Sequence, residues 1–409
     1  DHLDMAQYFY KAVFMDPLAN SEDALNHQHA NTHLPEIIGV ARGWEVTGNA
    51  TLQYIAQHFY SVLSAHYTYA TGGSNVLEHW NFPDQLGTAI NTTVVTLPNS
   101  TVVADNSNGF HTEESCTQYN VLKVVRHLFQ WSPSAGLADD YELKLTNGVL
   151  GIQKPLHFGT MVYMTPLGKG VARPQANWNQ GWGVANNSFW CCYGTAIESF
   201  AKLGDSIYFH NDASRQLWVN QFVPSTVNWD SGGEVTLTQA VRFVDDKALA
   251  STITVSIPPT APQADAPHTI HLRIPGWAVQ SRTTVTLNGH SLLRGPPQLG
   301  TYLSVTKALA DGDVFEISLG MAPRIVPIND NRTEWESVGA ILYGPMVLAG
   351  LTDMPTFALR AEPTTIETWL KVEPDLTFTA PGGWSLLPLN QVVDHRYTVY
   401  FNISETATG

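Results

Sequence analysis

The sequence predicts a multidomain α+β protein in which a helical part is followed by a β-sandwich. Helical periodicity dominates residues 1–211, and short alternating segments rich in Val, Thr and Ile dominate residues 212–409. With 44% hydrophobic and 14% charged residues, the 409-residue chain has the composition of a large packed protein. These two ranges are the predicted domains.

Apolar residues recur at helical spacing in several segments of the helical part. The first three predicted helices are DMAQYFYKAVF, LPEIIGVARGWEVTG, which stops at Gly48, and ATLQYIAQHFYSVLSAHYTYATGG, which ends in paired glycines. The next three are SCTQYNVLKVVRHLFQWSP, LADDYELKLTNGVLGIQ and GTAIESFAKLGDSIYF. Helices of similar length joined by irregular loops indicate an α/α toroid or a helical bundle, with fewer helices than a complete (α/α)6 barrel needs.

The β part is predicted from short alternating segments broken by Gly, Pro, Asn and Asp. They include LWVNQFVPSTVNW, GEVTLTQAVRF, STITVSI, HTIHLRIPGWA, TTVTLNG and TYLSVTKAL, and SVGAILYGPMVLAG is a further buried strand. Several strands at this spacing are typical of a β-sandwich. Beyond about Thr352 the pattern weakens, and we interpret that region as an extension of the β part.

The charge of the chain excludes some classes of partner. The formal net charge is −15, and no basic stripe is present that could neutralise nucleic-acid phosphates or anionic lipid. No apolar run approaches the roughly 20 residues that cross a bilayer. We therefore expect a neutral or polar ligand, and neither nucleic acid nor membrane as a partner.

Six Asn-X-Ser/Thr sequons favour a secreted and N-glycosylated protein. The chain also lacks an initiator Met and a signal peptide, so we expect it to begin after processing or truncation. Secreted proteins normally carry an even number of disulfide-bonded cysteines, whereas this chain has three cysteines. The sequons are Asn49, Asn91, Asn99, Asn186, Asn331 and Asn402.

The three cysteines lie at two predicted helix starts. Cys116 follows Glu114 by two residues, and Cys191 and Cys192 directly precede GTAIESFAKLG. A helix N-terminus favours anions and lowers a thiol pKa. Three thiolates and the Glu114 carboxylate would make a tetrahedral zinc site. A disulfide with one spare thiol, or inert burial of free cysteines, fits the spacing as well.

Candidate polar and aromatic site residues lie in nearby loops. Glu78 stands between Leu77 and Trp80, an apolar setting that suits a general acid because it raises a carboxyl pKa. His29 is a candidate hydrogen-bonding residue for a polar ligand. Trp80 and Trp190 are candidates for stacking on sugar faces, although Trp is also ordinary core material.

Four stretches together resemble glycoside hydrolase family 127, the β-L-arabinofuranosidase family once known as a domain of unknown function. They are HANTHLPEIIGVARGWEVTGN, YATGGSNVLEHW, TEESCTQYNVLKVVRHLF and FWCCYGTAIESFAKLGDSIYF, and LRIPGWA and ILYGPMVLAG in the β part are similar too. The resemblance implies an (α/α)6-barrel catalytic part followed by β-sandwich domains. It also implies that the missing helices belong to an upstream segment or fragment that completes the barrel.

The resemblance implies a role for each matching residue. It gives zinc the ligands Glu114, Cys116, Cys191 and Cys192, makes Cys191 the nucleophile, and makes Glu78 the acid/base. His29 matches a histidine that contacts the sugar. The sequence departs from the family pattern in two places, since Leu77 replaces a glycine before the acid/base and an insertion at 87–109 lengthens the connection.

The resulting hypothesis is a retaining glycosidase that releases terminal β-L-arabinofuranose or a related furanoside from plant-type glycans. Two alternatives stay open at this point. The same fold could act on another cell-wall sugar, or the protein could be a non-catalytic carbohydrate-binding protein that keeps zinc for structure.

Overall fold

The computed structural model has a helical N-terminal part and a β-rich C-terminal part, which confirms the predicted fold class at this level. It describes residues 2–92, 94–96, 102–104, 108–157, 159–175, 181–184, 186–230, 234–244, 247–258, 266–353 and 356–404.

Most helices follow the predicted periodicity, but the first predicted helix, DMAQYFYKAVF, is divided between α1 (His2–Gln7) and α2 (Ala12–Ala19) by a turn at residues 8–9. α3 ends where the sequence places its stop, at Gly48, which has a φ of 70° that favours glycine. The helices are α1 His2–Gln7, α2 Ala12–Ala19, α3 Ala30–Thr47, α4 Ala50–His66, α5 Leu86–Ala89, α6 Ser115–Trp131, α7 Ala135–Lys144, α8 Cys191–Ser199 and α9 Ile366–Trp369, and a π-helical turn, Leu145–Val149, continues α7.

Two predicted helices end early. α4 stops at His66, before the paired glycines, because Tyr67 leaves the helix to bury its ring and donate its hydroxyl to Asp23 Oδ2 at 2.7 Å. The segment after α8 becomes a strand rather than more helix. Gly204 and a left-handed Ser206 (φ 61°) break the helical path there.

The β part contains three sheets within the described residues. The first has the order β10-β9-β12-β7-β6-β5, the second β11-β8-β4-β3, and the third β16-β21-β14-β15-β19-β18-β17 with β13 on β14 and β20 on β15. The strands are β3 Tyr208–Asn211, β4 Gln216–Val219, β5 Ser225–Asp230, β6 Glu234–Val244, β7 Ala248–Ser256, β8 His268–Ile274, β9 Val279–Leu287, β10 His290–Ser291, β11 Thr301–Lys307, β12 Val314–Gly320, β13 Pro323–Pro327, β14 Val338–Tyr343, β15 Met346–Leu351, β16 Ala358–Arg360, β17 Lys371–Glu373, β18 Thr377–Ala380, β19 Trp384–Pro388, β20 Tyr397–Thr398 and β21 Tyr400–Ser404. A separate small pair, β1 Val94–Thr96 and β2 Val102–Ala104, lies in the long loop before α6.

Apolar packing joins the β sheets to one another and to the helical part. Alternating inward residues such as Leu237, Leu272 and Phe315 place the first two sheets around one core. A second core joins the third sheet to loops of the helical part, where Val76 and Phe110 pack with residues of β14 and β15. The site region is therefore supported from the β side.

A buried ionic contact also ties α7 to the β part. The guanidinium of Arg273, on β8, pairs with Asp139 and lies 2.8 Å from Glu142 Oε1, and its Nε donates to Asn220 O at 2.6 Å. The turn after β8 adds Trp277 Nε1, which donates to Glu142 Oε2 at 2.7 Å. Residues of the motif LRIPGWA therefore fasten the helical part to the β part, and we call these contacts of Arg273 and Trp277 the Arg273 clamp.

The structure bears on the membrane prediction and on two of the six sequons. Among the described residues, no helix combines the length and apolarity that a bilayer crossing requires. Asn99 lies outside the described residues, while Asn402 is half-buried within β21 and its Oδ1 accepts from Ser337 Oγ at 2.8 Å. Secretion and glycosylation stay predictions.

We expect Arg273→Ala to lower the free energy of unfolding by about 3–5 kcal/mol, because it removes the ion-pair partner of the buried Glu142 and of the half-buried Asp139. Chemical denaturation followed by circular dichroism measures this change. Arg242→Ala, on the exposed face of β6, is the matched control and should change stability by less than about 0.5 kcal/mol. Equal effects of the two changes would contradict a clamp at Arg273.

Candidate active site

The starts of α6 and α8 meet and bring four potential metal ligands together. Glu114 is the N-cap residue of α6 and Cys116 lies in its first turn, while Cys191 and Cys192 are the first residues of α8. One donor atom from each lies within 4.8 Å of all the others. The N-terminal end of a helix carries partial positive charge, which favours the anionic forms of these ligands.

The geometry and surroundings of the cluster fit a soft divalent cation. Cys116 Sγ lies 3.2 Å from Cys192 Sγ, which in turn lies 3.3 Å from Glu114 Oε1, and all three thiols are free. Burial, and then repulsion by Glu78, raise the pKa of Glu114 to about 8, and no Lys or Arg of the described residues pairs with it. Among the described residues, no positively charged side chain therefore balances the carboxylate and the three thiols. Zinc binds this combination of oxygen and sulfur ligands.

The adjacent cysteines occupy different environments. Cys192 is completely buried, and burial raises its pKa strongly. Cys191 is exposed, and hydrogen bonding from Cys192 and then from Tyr163 lowers its pKa to about 5 against the opposing effect of partial burial. The thiol that solvent can reach is therefore the one that ionises readily, the condition for a nucleophile.

Glu78 stands at the tip of a two-residue hairpin turn. Val76 and His79 exchange both main-chain hydrogen bonds at 3.0 Å, and Leu77 and Glu78 between them have φ values of 51° and 64°. Two successive positive φ values define a type I′-like turn, which normally takes Asn and Gly. Each non-glycine residue there costs about 1–3 kcal/mol, a strain typical of functional sites.

Tyr163 bridges the two predicted catalytic groups. Its hydroxyl donates to Glu78 Oε1 and lies 3.5 Å from Cys191 Sγ. Tyr163 is not predicted from the sequence, because it lies in a buried segment, residues 161–164, that carries no motif. Its place beside the start of α6 reveals it, since Glu114 pairs with Met164 and the carbonyl of Tyr163 accepts from Ser115 N at 3.0 Å.

His29 lies on the other side of Glu78. Its Nε2 is 3.5 Å from Glu78 Oε2, while its Nδ1 accepts from Thr32 N at 3.3 Å as the N-cap of α3. His79 contacts the same imidazole edge-on at a ring distance of 5.2 Å. The predicted hydrogen-bonding histidine therefore lies beside Glu78 and is held in place by the helix that it caps.

The two predicted stacking tryptophans differ in position. Trp80 is completely buried, its Nε1 donates to Ser74 Oγ at 3.1 Å, and it packs against Phe59. The assignment of Trp80 to substrate contact is therefore corrected, because its ring belongs to the helical core. Trp190 is 45% exposed directly before Cys191, so its substrate role stays a prediction.

Comparisons with known families identify the class of this protein. Residues 1–205 match the family model described as the catalytic domain of GH127 β-L-arabinofuranosidase, and residues 216–321 match the model of its middle domain. Both models describe parts of glycosidases. The chain belongs to glycoside hydrolase family 127. None of the curated proteins matches this chain at a significant level.

Solved structures agree with this fold at low sequence identity. A GH127 β-L-arabinofuranosidase from Geobacillus stearothermophilus T6 is 18% identical with a TM-score of 0.69, over 98% of this chain and 69% of that one. A GH127 β-arabinofuranosidase is 17% identical over 98% of this chain and 66% of that one, and a structure named glycoside hydrolase is 16% identical over 92% and 66%, both with a TM-score of 0.69. This chain thus spans about two thirds of their length.

We expect Cys191 of the metal-free protein to react with iodoacetamide with a midpoint near pH 5, because a lowered pKa keeps the thiolate present above that pH. Peptide mass spectrometry after short exposures across pH 4–9 measures the midpoint. Tyr163→Phe removes one hydrogen bond and should raise it. A midpoint near pH 8.5, the value of a free thiol, would contradict the assigned environment.

Proposed function

We propose that this protein is a retaining glycosidase that removes terminal β-L-arabinofuranose or a related furanoside from plant-type glycans. The observation that carries the proposal is the bridge formed by Tyr163 between the Glu78 carboxylate and the Cys191 thiol, beside a four-ligand cluster. One hydroxyl spans the two groups, so their separation is short, as retaining mechanisms require. Membership of family 127 supports the substrate class.

In the proposed first step, Cys191 Sγ attacks the anomeric carbon while Glu78 donates its proton to the leaving oxygen. A C–S bond forms as the glycosidic C–O bond breaks. In the second step, the Glu78 carboxylate accepts a proton from water, whose oxygen attacks the anomeric carbon and releases Cys191 as thiolate. Two inversions at one carbon retain the configuration.

The surrounding residues support these steps. Tyr163 can hydrogen-bond whichever of Glu78 and Cys191 carries charge, and His29 offers a polar contact on the far side of Glu78. We propose that zinc is the ion held by Glu114, Cys116, Cys191 and Cys192. When bound, zinc would keep the cluster's thiols deprotonated and its carboxylate compensated.

We also propose the finer architecture implied by the family. The described helices would form part of an (α/α)6 barrel, and the first two sheets would form a β-sandwich. Because β3 (Tyr208–Asn211) belongs to the second sheet, the domain boundary would lie just before β3, a few residues earlier than the predicted break between residues 211 and 212. Trp190, exposed beside the nucleophile, would supply an aromatic face for the sugar. Secretion with N-glycans on exposed sequons completes the proposal.

We expect Cys191→Ala to abolish retaining turnover of 4-nitrophenyl β-L-arabinofuranoside, because the attacking sulfur is lost. Glu78→Gln should lower kcat by about 10²–10⁴-fold for natural leaving groups, since no proton is donated. Stopped colorimetric assays measure the first change, and proton NMR of the sugar released from a glycan substrate measures the second. Glu316→Gln makes the same chemical change at an exposed position of β12 and should leave turnover unchanged. Full activity of Cys191→Ala would refute the mechanism.

We expect the purified protein to contain near-stoichiometric zinc, measured by plasma emission spectrometry. Cys116→Ala and Cys192→Ala should lose most of the metal, because each removes a buried sulfur ligand. Cys191→Ala should retain metal through the remaining three ligands while losing turnover. Zinc-bound, inactive wild-type protein that still binds glycans would instead favour the non-catalytic alternative.

A further inference from the structure

Glu113 is a buried carboxylate that the proposed reaction does not use. It is 1% exposed, directly precedes the cluster residue Glu114, and has a left-handed φ of 55°. Arg173 and Lys144 act on it electrostatically, but among the described residues neither forms an ion pair with it. A buried charge-bearing group in a strained position requires a structural reason.

The side chain of Glu113 holds the loop that precedes the hairpin of Glu78. Its Oε1 accepts hydrogen bonds from Thr71 Oγ1 and from Gly73 N, the latter at 3.1 Å. A Cβ atom at Gly73 would lie 2.2 Å from this oxygen, so the carboxylate contacts the main chain at a position that has no side chain. Only glycine permits this approach.

The main chain of Glu113 connects the same loop to two more parts of the site. Its N–H donates to Asn75 O at 2.9 Å, and its carbonyl accepts from Thr165 N at 3.2 Å, two residues beyond Tyr163. Asn75 Oδ1 also accepts from Glu114 N at 3.1 Å. One residue thus joins the loop 71–75, the cluster and the segment that carries Tyr163.

We propose that Glu113 is a positioning residue that fixes the Glu78 hairpin relative to the ligand-bearing start of α6. This inference rests on the proposed roles of Glu78 and Cys191. The hairpin begins at Val76, directly after the loop that Glu113 holds, so release of the loop would shift Glu78 with respect to Cys191. A misplacement of about 1 Å can lower turnover about 10²-fold.

The test compares Glu113→Ala, Glu113→Gln and Thr71→Val in the zinc-loaded protein. Glu113→Ala should lower kcat on 4-nitrophenyl β-L-arabinofuranoside by about 10–10²-fold with unchanged zinc content. Glu113→Gln should retain most of kcat, because its carbonyl oxygen still accepts from Thr71 and Gly73, and Oε2 has no hydrogen-bond partner to lose. Thr71→Val should lower kcat to an intermediate value.

Peptide hydrogen exchange supplies a readout that does not need turnover. Peptides covering 71–80 should exchange faster in Glu113→Ala and Thr71→Val but not in Glu113→Gln. Thr283→Val removes a comparable buried hydroxyl on β9, which donates to Val279 O at 2.8 Å, and should change neither this exchange nor kcat.

Two outcomes would overturn the inference. Unchanged exchange at 71–80 in both Glu113→Ala and Thr71→Val would show that the carboxylate does not hold the loop. Faster exchange with undiminished kcat would show a purely structural role. If wild-type protein turns over no furanoside, the proposed function fails, while the exchange data still decide whether Glu113 holds the hairpin.

Discussion

The contact between the N-terminal ends of α6 and α8 is the constraint on which the rest of the site depends. It joins Cys116 and Cys192, which stand 76 positions apart in the chain, at a sulfur–sulfur distance of 3.2 Å. Four groups that can carry negative charge would repel one another in an apolar setting, where Cys116, Cys192 and Tyr163 lie in one buried cluster. Two helix ends supply partial positive charge at this point, and a bound cation would supply the remainder.

The β part contributes none of the four clustered ligands, but it anchors segments of the chain that lie next to them. Val171 pairs with Tyr397, and Gly170 N donates to Thr398 Oγ1 at 3.0 Å, so the loop after Tyr163 is anchored on β20. On the opposite side, the Arg273 clamp holds α7. The helical part and the sheets therefore behave as one support for the site, which accounts for motifs in both parts.

Sequence reasoning predicted those features that short-range chemistry determines. Helix periods placed α6 correctly and the start of α8 to within one turn, although α8 ends well before its predicted end. The odd cysteine count with Glu114 led to a cluster that the structure brings together. Tyr163 could not be predicted, because its role arises from a contact between segments 85 positions apart. Trp80 was misassigned for a related reason, since an aromatic residue beside a loop glutamate has the same sequence signature in a core and in a cavity.

The adjacency of Cys191 and Cys192 has a consequence for how function is encoded. Consecutive residues on an α-helix point about 100° apart, so the rotational phase of α8 sends one thiol outward and the next inward. The two side chains are chemically identical, and their successive positions at the start of the helix are enough to give them different environments. Lengthening or shortening the approach to α8 by one residue would place one of these cysteines in the environment of the other, which makes the phase of a helix, rather than the identity of a residue, the determinant of reactivity here.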